Sequence, residues 1–66
     1  MSVPQTLLTK LVGMKEDEAM SLIKEDGFLY RTVYKDGEYY IVTCDYRIDR
    51  INLSIEEGFI IKVGVG

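Results

Sequence analysis

The sequence predicts an α+β domain in which one helix packs on one face of a small sheet. Three observations predict it. Between Gly13 and Gly27, the apolar residues Ala19, Leu22 and Ile23 recur at the i, i+3, i+4 spacing of a helix face. From Phe28 onward the composition turns aromatic and β-branched, which favours strands. Ile51-Asn52-Leu53-Ser54-Ile55 alternates apolar and polar residues, the pattern of a strand with one buried face.

Taken in order, residues 1–10 read as an N-terminal arm and residues 11–66 as a single domain. Pro4 disfavours a helix before it, and Leu7, Leu8 and Leu11 can pack the arm onto the domain. The helix is expected over residues 16–25. Glu16, Asp17 and Glu18 fill its first turn, where negative charge suits the positive end of the helix dipole, although Lys15 offers no side-chain acceptor as a cap. Asp26-Gly27 supplies the stop, with glycine free to take the left-handed cap conformation. A strand from Phe28 to Tyr34 follows, then a turn at Lys35-Asp36-Gly37-Glu38. After a long middle segment come the strand at 51–55, a turn at Glu56-Glu57-Gly58, and a last strand from Phe59 to Val63.

Sixty-six residues make one small domain. Such a chain buries only about 60% of the surface its unfolded form exposes. One cysteine allows no internal disulfide, and the absence of histidine removes the usual zinc clusters, so packing must stabilise the fold. Eight basic and eleven acidic residues give a net charge of −3 without a Lys/Arg cluster, which argues against a nucleic-acid partner. No apolar run approaches the roughly 18 residues of a membrane span, and no cofactor is implied. Met1-Ser2-Val3-Pro4-Gln5 lacks the basic and apolar regions of a signal peptide, so cytoplasmic is the default expectation for location. Enzymatic activity is not expected. Cys44 has no histidine to act as its base and no second cysteine to resolve it. The acidic pairs Asp17/Glu18 and Glu56/Glu57 read as a helix start and a solvated turn.

Residues 38–50 decide the function, and local pattern leaves two readings open. Asp36-Gly37 between β-rich runs is a strong hairpin signal, so Tyr39 to Cys44 can pair back onto residues 28–34, with Cys44 as a small buried hydrophobe. Alternatively, Ile41 to Ile48 forms an exposed loop. In that case the Thr43 hydroxyl and Asp45 carboxylate can both accept hydrogen bonds from Arg50, whose backbone is anchored where the strand at Ile51 begins. Tyr34, Tyr39, Tyr40 and Tyr46 cluster around this segment. They serve either as core filler with their hydroxyls at its edge or as a contact surface of large area and low entropy cost.

The order and spacing of Leu11-Val12-Gly13, Glu18-Ala19, Leu22-Ile23, Ile41-Val42-Thr43, Tyr46-Arg47-Ile48-Asp49-Arg50 and Val63-Gly64-Val65-Gly66 resemble the potato inhibitor I family of serine protease inhibitors, the barley chymotrypsin inhibitor and eglin group. Asp45-Tyr46-Arg47, with Asp49-Arg50 and Asn52, also looks like a related bacterial inhibitor group in which asparagine replaces a second arginine. The resemblance spans residues 11–66 and implies a single helix packed on a small mixed β-sheet with a long exposed binding loop. It implies a loop of Ile41, Val42, Thr43, Cys44, Asp45, Tyr46 and Arg47 that docks like a substrate on a subtilisin- or chymotrypsin-like protease, with the scissile bond between Cys44 and Asp45. Arg50 and Asn52 would tie the loop to the body, and the C-terminal glycines would lie beside them.

Two functional classes follow. One is a serine protease inhibitor, monomeric or weakly oligomeric. The other is a non-inhibitory interaction module that binds an intracellular protein through the same loop and tyrosines. Oxidation of an exposed Cys44, or a disulfide-linked dimer through it, would block pocket insertion and make inhibition redox-dependent.

Overall fold

Two strands set the frame of the molecule: β1 (Leu29–Lys35) and β3 (Arg50–Glu56) lie side by side and run parallel. The computed structural model describes residues 2–43 and 45–66. Strand β2 (Glu38–Tyr39) pairs antiparallel with the far end of β1, and β4 (Phe59–Val65) pairs antiparallel with β3, giving the order β2-β1-β3-β4. Helices α1 (Gln5–Leu11) and α2 (Glu16–Glu25) complete an α+β domain with a mixed four-stranded sheet.

The helix expected over residues 16–25 forms with those bounds. Its cap position, Lys15, makes no side-chain cap bond, and the Glu16 N–H is instead taken by the backbone oxygen of Gly58, 2.9 Å away. A tertiary contact thus does what the local sequence does not. At the other end Gly27 takes φ 82°, its N–H bonds the Lys24 oxygen and the Phe28 N–H bonds the Ile23 oxygen. That pair of bonds defines a Schellman stop.

The expectation of a single helix is corrected here, because residues 5–11 form a second one. Pro4 sits at its N-cap, and the Pro4 oxygen accepts from the N–H groups of Leu7 and Leu8 at 3.1 and 3.3 Å. The helix has no side-chain cap and no acidic residue in its first turn. Seven residues are too few for a stable isolated helix, so its stability comes from packing. Leu7 and Leu11, spaced i, i+4, are both buried. The helix therefore runs through residue 10, where the arm was expected to end.

The core joins those leucines to Ala19, Ile23, Phe28, Ile51, Leu53, Ile55 and Ile60. Ile51, Leu53 and Ile55 alternate with half-buried Asn52 and Ser54, as the sequence predicts for a strand with one buried face. The Gly13 N–H reaches the Ile60 oxygen at 2.8 Å, and the Ile60 N–H reaches the Met14 oxygen at 2.9 Å, which docks the helix–helix connection on β4.

Each hairpin closes through a two-residue turn. Asp36 (φ 48°) and Gly37 (φ 88°) join β1 to β2, and Glu57-Gly58 repeats the arrangement between β3 and β4. Positive φ at both central positions matches the right-handed twist of the flanking strands. The two turns are tied together by Glu57 N–H donating to Asp36 Oδ1 at 2.8 Å and by the Tyr34 hydroxyl donating to Glu56 Oε1 at 3.1 Å. The segment between the hairpins leaves from Tyr39, opposite Tyr34, yet β3 must begin opposite Leu29. It has to travel back along β1 by about 17 Å, at roughly 3.3 Å per strand residue.

Candidate functional site

Residues 40–49 make that return journey. The β1–β2 ladder holds Lys35 against Glu38 and Tyr34 against Tyr39, and one further bond runs from the Tyr40 N–H to the Val33 oxygen at 3.0 Å. Beyond it, residues 41–43 and 45–47 carry no regular secondary structure and are exposed. A full ladder of residues 39–43 against β1 is thereby ruled out. Ile41 is fully exposed, and Tyr39 and Tyr46 stand at 84% and 69% exposure. A cleft of about 420 Å³, lined by Tyr30, Arg31, Thr32, Ile41, Val42 and Thr43 among others, separates the start of the loop from β1. Cys44 lies outside the described residues.

Arg50, the first residue of β3, is the centre of the support. Its side chain is only 12% exposed. The guanidinium donates from Nε and Nη2 to the backbone oxygen of Gly66 at 2.9 and 2.6 Å, from Nη2 to the Asp45 backbone oxygen at 2.6 Å, and from Nη1 to Asp45 Oδ2 at 3.3 Å. These bonds use most of its donors in one planar fork. The Gly66 N–H in turn donates to the Arg50 oxygen at 3.1 Å, and the Arg47 N–H reaches the Gly66 oxygen at 3.3 Å. A Cβ at Gly66 would stand 3.2 Å from the Asn52 amide nitrogen and 3.6 Å from the Tyr46 ring, so only glycine fits there without displacing a neighbour.

Thr43 is held differently from the sequence-based expectation. Its hydroxyl donates to Asp45 Oδ1 and accepts from Arg31 Nη1 at 3.3 Å, whereas Arg50 bonds Asp45. Among the described residues Asn52 makes no side-chain hydrogen bond to the loop. Its Oδ1 accepts from Arg31 Nε at 2.6 Å. Arg47 turns back on Asp49 in a bidentate pair of 3.0 and 3.1 Å. Of the residues proposed from sequence, Thr43, Asp45 and Arg50 therefore meet in one network, while Ile41, Val42 and Tyr46 present side chains outward.

Arg31 is the residue that sequence reasoning missed. It stands in the middle of β1, 21 positions from Asn52, and nothing local marks it. Parallel register places Arg31 beside Asn52 and so brings a guanidinium to the start of the loop.

The electrostatics agree with the geometry. The Thr43 hydroxyl, together with the Arg50 guanidinium, holds the Asp45 carboxyl below its ordinary value, and Arg47 does the same for Asp49. Among the described residues no cluster of three or more metal-ligating side chains occurs, and no helix is long and apolar enough to cross a membrane. The chain matches no known family model and no curated protein sequence.

Proposed function

We propose that the protein is a serine protease inhibitor of the potato inhibitor I type, offering residues 41–47 as a rigid, substrate-like segment to a subtilisin- or chymotrypsin-like enzyme. The observation that carries this reading is the Arg50 fork, a mostly buried guanidinium joining Asp45 to Gly66 beneath an exposed loop. The scissile bond is assigned to Cys44–Asp45, with Cys44 entering the primary specificity pocket, Val42 and Thr43 before it and Asp45 and Tyr46 after it.

Inhibition then follows from stiffness. Fixing one flexible backbone residue costs about 1–2 kcal/mol. A loop ordered in advance avoids several such losses at docking, and each 1.4 kcal/mol is about tenfold in affinity. The enzyme serine attacks the Cys44 carbonyl, forms an ester and frees the Asp45 amine. Because Arg50 keeps Asp45 tied to the sheet, that amine stays within reach of the ester. Its attack re-forms the peptide bond and returns the serine hydroxyl, so no water is consumed and turnover is slow.

The second reading, a non-inhibitory module binding another protein, is favoured by the exposed apolar groups of Tyr39, Ile41 and Tyr46. Titration of subtilisin, chymotrypsin and elastase under reducing conditions separates the two. Nanomolar inhibition of any of them supports the inhibitor, and failure against all three favours the module.

A further inference from the structure

Among the described residues two arginine side chains hold the loop network, and they come from opposite sides of the loop. Arg50 lies after it on β3 and grips Asp45, whereas Arg31 lies before it on β1 and reaches Thr43. Arg31 is itself aimed by Asn52, whose Oδ1 accepts a hydrogen bond from Nε at 2.6 Å and leaves Nη1 facing the loop. A guanidinium can do both at once because its donors are fixed in one plane.

We infer that Arg31, aimed by Asn52, is a second positioning residue for the loop, holding the segment before the scissile bond as Arg50 holds the segment after it. The inference rests on the inhibitor reading for its consequence, though not for its geometry. A cut between residues 44 and 45 would leave Arg31 and Thr43 on one fragment and Asp45, Arg50, Asn52 and Gly66 on the other. Each new end would keep a guanidinium from its own fragment. The Arg31–Asn52 and Thr43–Asp45 bonds would meanwhile bridge the fragments and keep the ends opposed. Arg31 is therefore expected to act on the balance between re-ligation and hydrolysis more than on first docking.

Two measurements on the whole chain test this. The first needs no protease. Backbone order parameters of Val42, Thr43 and Asp45 should lie near the rigid value of about 0.85 in the wild type and fall below about 0.6 in Arg31→Ala. Residues 51, 53 and 55 should stay rigid in that variant. Thr43→Val, which leaves β1 untouched, should loosen the loop in the same way. Unchanged loop order in Arg31→Ala, or equal loosening of loop and core, overturns the inference. The second measurement follows cleavage between residues 44 and 45 by subtilisin. Arg31→Ala should be cut about tenfold faster while its association rate changes less than twofold, and Asn52→Leu should share the effect. Wild-type cleavage kinetics in Arg31→Ala would overturn the inference. If wild-type protein fails to bind any protease, the inhibitor reading falls, while the order parameters still decide what Arg31 does.

Discussion

Arg50 places two N–H groups on the single backbone oxygen of Gly66, at 2.9 and 2.6 Å, while a third donor at 2.6 Å holds the backbone oxygen of Asp45. The end of β4 and the exposed loop are thus joined through one side chain on β3. Removing this guanidinium is therefore expected to loosen the loop, since none of its bonds is to a core side chain.

On the proposed inhibitor reading, Arg50→Ala should weaken inhibition of subtilisin at least tenfold, as measured by titration of residual activity. Its urea midpoint should shift little, because the apolar core at Ile51, Leu53 and Ile55 is intact. Equal inhibition by the variant and the wild type would remove the fork from the mechanism.

On the proposed inhibitor reading, substitution at position 44 should redirect specificity. If Cys44 fills the specificity pocket, Cys44→Leu and Cys44→Tyr should strengthen inhibition of chymotrypsin relative to elastase. The ratio of the two inhibition constants is the readout, and an unchanged ratio would put the principal contact elsewhere.

Acid should loosen the loop. Asp45 and Asp49 are both lowered from the ordinary 3.8, so their ionised forms are favoured by the ordered structure. Their contribution is complete above that value and is lost as pH falls through the depressed pKa of each. Loop order parameters should hold from neutral pH to about pH 4 and then decline, before core signals change. Asp45 is exposed and Asp49 half-buried, so about 1 M salt should weaken the Asp45 contact at neutral pH more than the Asp49 one.

The core makes a separate prediction. Leu53 is fully buried, and Leu53→Ala should destabilise the protein by about 2–5 kcal/mol in urea unfolding, a large share of what so small a domain has. Leu11 is also fully buried, and Leu11→Ala should cost a similar amount if α1 belongs to the cooperative unit. A change below about 0.5 kcal/mol would mark α1 as a loosely attached arm.

Much of the fold was legible because its signals are local. The 3.6-residue spacing of Ala19, Leu22 and Ile23, the acidic first turn and the Asp26-Gly27 stop mark α2 within residues 16–27. Asp36-Gly37 and Glu57-Gly58 state their turns through the backbone angles they tolerate. Helix α1 was hidden because seven residues without a cap do not make a helix by themselves, and only burial of Leu7 and Leu11 against the rest of the core does.

The sequence by itself determined the alternation of β3, the turns, α2, and the presence of an acceptor pair, Thr43 and Asp45, a few residues ahead of Arg50. Only the tertiary structure decided how those acceptors are shared. Pairing β1 with β3 in parallel forces the intervening chain to return along the sheet, which creates the loop. The same register sets Arg31 beside Asn52, so Thr43 is met by a donor from the preceding strand and Asp45 by one from the following strand. Hydrogen bonds between residues 12 and 21 positions apart leave no periodic trace in a sequence, because their partners are chosen by strand order and register.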